Sequence, residues 1–85
     1  MLTKQAVQIA KTYVNDIFNE ENIRDVGLEE VKKEGDTWVV TIGFLRPWDE
    51  PKSMLQQIQS PLKRTYKKVF IKDETQEVVQ IENWR

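Results

Sequence analysis

Few residues in this chain could do chemistry, and their spacing argues against catalysis. Serine occurs only at Ser53 and Ser60. Ser60-Pro61-Leu62-Lys63 matches the Ser-x-x-Lys spacing in which a lysine amine can serve a serine nucleophile. That motif works from the start of a buried helix, whereas Pro61-Leu62 here leads into a strand-like stretch, so the match implies no nucleophile. The acidic pairs Glu20/Glu21 and Glu29/Glu30 have the chemistry to hold a cation or to divide general-acid and general-base roles. Glu29 and Glu30 lie in a strand-like run, where neighbours point to opposite faces, so they are not expected to share a site. Histidine and cysteine are absent. Their absence removes imidazole catalysis, thiolate chemistry, disulfides and Cys/His zinc sites. The expectation is a non-enzymatic protein with no catalytic residue, no metal site and no cofactor.

Recognition chemistry is better represented. Lys63, Arg64, Lys67, Lys68 and Lys72 interleave with Tyr66 and Phe70. Aromatic rings that stack bases, set beside cations that neutralise phosphates, make a nucleic-acid surface. Strand periodicity puts Tyr66, Lys68 and Phe70 on one face; with Arg64 these are the nucleic-acid candidates. The overall charge opposes that reading. Thirteen basic and fourteen acidic residues leave a net charge of -1, so nucleic acid is not the expected partner. An ordinary solvated strand face, whose lysines discourage edge-to-edge association, explains the same residues.

These side chains need elements to hold them. Leu2, Ala6, Ile9, Ala10, Tyr13, Val14, Ile17 and Phe18 form one apolar stripe at helical period, predicting a helix over residues 3–20 with Thr3 as its cap. Residues 26–34 read as a strand whose alternation breaks at Glu29-Glu30, either at a bulge or because the strand begins later. Glu34-Gly35-Asp36 is a turn. Residues 37–45 alternate most clearly, with Trp38, Val40, Ile42 and Phe44 on the core face. Strands are also predicted at 63–72 and 77–82 around a polar turn at Asp73-Glu74-Thr75-Gln76. The 85 residues allow one domain with a small core. The expected architecture is α+β: an N-terminal helix packed on a curved four-stranded antiparallel sheet, in the order α-β-β-β-β.

One connection is long. Residues 46–62 contain all three prolines, Pro47, Pro51 and Pro61, and proline disfavours a central strand. A short helix could begin at Pro51. Arg46, Trp48, Met54, Leu55 and Ile58 are the side chains favoured at protein interfaces and are the protein-interaction candidates. The same residues would serve equally well as a plug for the open end of a small core. The last strand offers a sheet edge through which a second copy could pair, while Trp84 is expected to cover core apolar surface.

The C-terminal hairpin, Arg64-x-Tyr66-x-x-Val69-x-Ile71-x-Asp73-x-Thr75-x-Glu77-Val78-Val79-x-Ile81, resembles the closing hairpin of PepSY-like domains. The N-terminal helix and the strand Trp38-Val39-Val40-Thr41-Ile42 fit the same cystatin-like roll. Gln76 stands where that family has glycine, which implies a different turn, and the 46–62 connection departs from the family pattern. The Gln-x-Val-x-Gly loop of true cystatins is absent. The resemblance implies non-catalytic protein binding, as in modulators or inhibitors of a peptidase or another effector. The remaining alternative is a small ligand bound in a groove between helix and sheet. No stretch approaches the roughly 20 apolar residues of a membrane span, and no signal-peptide core follows Met1, so a cytoplasmic protein without a membrane partner is expected.

Overall fold

The computed structural model describes residues 1–47 and 64–84. Helix α1 (Thr3–Ile17) is followed by a 3₁₀ turn (Asn19–Glu21) and by strands β1 (Arg24–Glu34), β2 (Thr37–Leu45), β3 (Thr65–Lys72) and β4 (Val78–Asn83). The strands form one antiparallel sheet in the order β1-β2-β3-β4, so each pairs with its neighbour in sequence. This is the expected α+β arrangement, with α1 over one face. Among the described residues no helix is long and apolar enough to cross a membrane.

Leu2, not Thr3, occupies the helix N-cap. Its backbone is extended, and its N–H donates to Gln5 Oε1 at 2.6 Å. Gln5 thus reaches back from the first turn to the N-cap N–H, the reciprocal half of a capping box, in place of the hydroxyl cap expected from Thr3. The helix ends earlier than residue 20, because the chain tightens into the 3₁₀ turn and then adopts a left-handed conformation at Asn22.

Ala6, Ala10 and Val14, spaced four apart, are the fully buried residues of α1. Their small side chains bring the helix close to Trp38, Val40, Ile42 and Phe44 of β2 and to Val69 and Ile71 of β3. Phe18 closes one end of this core, its ring centroid 5.2 Å from that of Phe44. Each large apolar side chain buried here contributes about 1.5–3 kcal/mol. The expected core face of β2 is therefore the observed one. Its opposite face is buried as well: Val39 and Leu45 are 3% exposed and Thr41 is 2% exposed.

Strand β1 begins at Arg24, two residues earlier than expected, and carries two irregularities. The first lies between Arg24 and Gly27, where Asp25 takes a positive φ of 54°. The second is a bulge: Leu28 pairs with Ile42 and Glu30 with the adjacent Thr41, leaving Glu29 as an extra residue. The broken alternation in the sequence is thus a bulge, and Val26 and Val31 both reach the helix-side core.

Both hairpins turn on left-handed residues. Gly35, φ 63°, occupies the first central position of the β1–β2 turn, a conformation open to glycine at little steric cost. In the β3–β4 turn the left-handed residue is Gln76, φ 60°, whose N–H donates to the Lys72 carbonyl at 2.8 Å. A side chain in this region costs about 1–2 kcal/mol. Gln76→Gly is therefore expected to raise stability by up to about 1 kcal/mol, read as a higher urea midpoint at unchanged slope.

Asp73 ties the two turns to the core. Trp38 Nε1–H donates to its Oδ1 at 2.8 Å, the N-terminal ammonium lies 3.3 Å from the same oxygen, and Lys33 Nζ lies 3.5 Å from Oδ2. The Trp38 hydrogen bond, followed by that of the N-terminal ammonium, holds the Asp73 carboxyl below the usual carboxylate range. Such a group stabilises the fold fully above its unfolded-state pKa, about 3.9. That stabilisation is lost as pH falls through the lower folded-state value. Asp73→Asn is expected to melt below the parent at pH 7, with the two melting temperatures converging as pH falls below about 4. Thermal melts across that range measure the convergence.

Candidate binding recess on the helix-free sheet face

The sheet registers fix which side chains share the face turned away from α1. One cross-strand row runs Glu30–Thr41–Lys68–Glu82, and the next runs Gly27–Gly43–Tyr66. A third runs Lys32–Val39–Phe70–Gln80. Trp84 extends the second row, its N–H donating to the Tyr66 carbonyl at 3.2 Å.

Two glycines shape this face. A Cβ placed on Gly43 would lie 2.8 Å from Tyr66 Cε1 and 3.2 Å from Arg64 Nε, so both side chains lie directly against the β2 backbone. Arg64 continues across Gly27 and donates from Nη2 to the Asp25 carbonyl at 2.5 Å. Glycine inside a strand marks such close approaches.

Beside this trench lies a recess of about 270 Å³ lined by Glu29, Glu30, Thr41, Tyr66 and Trp84. The Tyr66 and Trp84 ring centroids are 5.3 Å apart, with the planes inclined at 59°. The Thr41 hydroxyl oxygen is buried and, among the described residues, has no hydrogen-bond partner. Among the described residues, neither Glu29 nor Glu30 makes an ion pair or a side-chain hydrogen bond. These two carboxylates are not separated, contrary to the expectation from strand alternation. The bulge inserts Glu29 between two consecutive cross-strand pairs, so both side chains line one recess.

Tyr66, Lys68 and Phe70 share a face, as expected, with Arg64 beside them. Lys67 points to the helix side. It is hydrogen-bonded to the Asn83 side chain and lies 5.7 Å from the Phe18 ring centroid. Burial, followed by the positive charge of Arg46, lowers its pKa. Arg46 sits at the end of the core, 5.8 Å from the ring centroids of Phe18 and Phe44, with Nε 4.0 Å from Glu21 Oε1. Trp48, Met54, Leu55 and Ile58 lie outside the described residues, as does Lys63. Trp84 does not cover the core as expected; it is 46% exposed and packs on Tyr66 across the sheet.

A second recess, of about 290 Å³, lies where the helix–sheet groove was expected. It is mostly apolar and lined by Gln8, Ile9, Thr12, Tyr13, Asp16 and Val78. Among the described residues no group of three or more acidic side chains could hold a metal ion.

Reasoning from the sequence did not find the Glu29, Glu30, Thr41 and Trp84 grouping. Its signals were the adjacent acids at the broken alternation and the mid-strand glycines Gly27 and Gly43. No family model matches the chain, and neither a curated protein nor a solved structure matches it.

Proposed function

We propose that this chain is a non-catalytic protein-interaction module that meets its partner with the helix-free face of the sheet. The observation that carries the reading is the recess lined by Glu29, Glu30, Thr41, Tyr66 and Trp84, where, among the described residues, two carboxylates lack counter-ions and a buried hydroxyl lacks a partner. A partner group bearing N–H donors would pair with the carboxylates and give the hydroxyl oxygen a donor. Non-catalytic binding is also what the PepSY-like hairpin implies.

Charge on this face favours a protein over a nucleic acid. Lys68 lies in the row Glu30–Thr41–Lys68–Glu82, with acids towards both sheet edges, and Arg64 is engaged with the Asp25 carbonyl. Phosphates would approach carboxylates as closely as cations. A second reading, a small apolar ligand in the helix–sheet groove, draws on the recess beside Ile9, Tyr13 and Val78.

The test is capture from the source cell with three baits: the intact chain, Trp84→Ala, and a chain lacking residues 49–59. The expected result is one stoichiometric protein that the Trp84 variant loses and the shortened chain keeps. Loss with the shortened chain alone would move the contact to the segment holding Trp48, Met54, Leu55 and Ile58. Recovery of nucleic acid would overturn the reading.

A further inference from the structure

We infer that the recess between Glu29, Glu30, Tyr66 and Trp84 receives the ammonium or guanidinium group of a lysine or arginine side chain on the partner polypeptide. The inference rests on the protein-interaction reading above and specifies what this face recognises.

Each wall of the recess favours a cation. Glu29 and Glu30 bring two carboxylates to one rim, and among the described residues neither meets a counter-ion. Their mutual repulsion is relieved by a positive group placed between them. The inclined rings of Tyr66 and Trp84 form a corner, and ring faces attract cations through their quadrupoles. Among the described residues the Thr41 hydroxyl oxygen, in the lining of the recess, lacks a donor, and an ammonium or guanidinium N–H provides one. An anion would meet the carboxylates unfavourably, and an apolar group would strip them of water without compensation.

The surrounding face selects a polypeptide as the source. Half-buried Phe70 and half-exposed Trp84 offer apolar surface beside the recess, and Glu82 offers a further carboxylate along the same cross-strand row. A lone small cation would use the recess and leave these groups unengaged. A chain carrying a basic residue among other side chains can engage all of them. Gly43 and Gly27 contribute by letting Tyr66 and Arg64 lie against the strands, which holds the Tyr66 wall in place.

The experiment is an amide and indole NMR titration of the full chain with end-blocked pentapeptides of glycine that carry lysine, arginine or glutamate at the centre, and with choline. The lysine or arginine peptide is expected to give saturable shifts at the Trp84 indole N–H and at the amides of Glu29, Glu30 and Thr41. Binding weakens as the Debye length shortens from about 30 to about 8 Å. The double substitution Glu29→Gln/Glu30→Gln, at exposed positions, is expected to weaken binding about tenfold while the circular dichroism spectrum is retained; tenfold corresponds to about 1.4 kcal/mol. Equal shifts with the glutamate peptide, unchanged affinity in the double variant, or binding of choline alone would overturn the inference. If no peptide moves the indole while partner capture still depends on Trp84, this inference falls and the protein-interaction reading stands. If the basic peptides bind and capture is independent of Trp84, the cation chemistry stands and the wider reading falls.

Discussion

Phe44→Ala is expected to lower stability by about 3–5 kcal/mol and to leave a large part of the population unfolded at 37 °C. Phe44 is fully buried and meets Phe18 at the end of the core opposite the turns. Truncation removes apolar burial and leaves a cavity that α1 can only partly close, since its buried residues are already small: Ala6, Ala10 and Val14. An 85-residue domain holds about 4–13 kcal/mol in total, so the loss consumes much of it. Urea titration followed by circular dichroism measures the effect. Phe44→Leu, which keeps most of the volume, is expected to lose much less. Equal losses for the two variants would show that ring volume at this position is not what holds the helix to the sheet.

The neighbouring residue gives the second large effect, on the other face. Gly43→Val places a branched side chain where Tyr66 Cε1 and Arg64 Nε already stand, 2.8 and 3.2 Å from the first added carbon. Neither the strand nor the ring can occupy that space without moving, and overpacking of this kind costs about 1–3 kcal/mol. The Tyr66 ring is expected to swing away from β2, breaking its contact with Trp84 and opening the recess. The readouts are a lowered melting temperature, a changed near-ultraviolet circular dichroism spectrum and a shifted Trp84 indole resonance. Adding Tyr66→Ala to Gly43→Val is expected to recover part of the loss, because the clash then has no second member. Strict additivity of the two substitutions would show that the ring is not the obstacle.

The layout of the fold was legible because it rests on periodicity. The stripe Ala6, Ala10 and Val14, and the alternation Trp38, Val40, Ile42 and Phe44, each state a face without reference to any other element. The recess was not legible for the same reason. Its walls come from β1, β2, β3 and the end of β4, and pairing register rather than sequence distance brings them together. Glu29 and Glu30 were separated by the alternation rule, which holds along a regular strand and fails at a bulge. Trp84 looked like a lid on the core because a terminal aromatic in a small domain commonly serves that purpose, yet its residue falls in the row of Tyr66, on the far side of the sheet. Gln76 shows a further limit. Its identity suggested a turn unlike one built on glycine, whereas the chain keeps a left-handed residue there and carries the steric cost in a glutamine.

The bulge has one more consequence. On either side of Glu29 the pairs Leu28 with Ile42 and Glu30 with Thr41 already follow the register of an uninterrupted ladder. From Gly27 onward strand β1 is therefore a regular strand with one residue added, and the added residue carries one of the two charges on the recess rim. Loss of a single codon at this position would halve that charge while every other cross-strand pair kept its partner. Gain of the codon would restore it. The same deletion at Lys32 would instead push Lys33 and Glu34 onto exchanged faces and misalign the Gly35 turn. The charge of the recess rim and the pairing of the sheet are in this way written at separable positions of one strand.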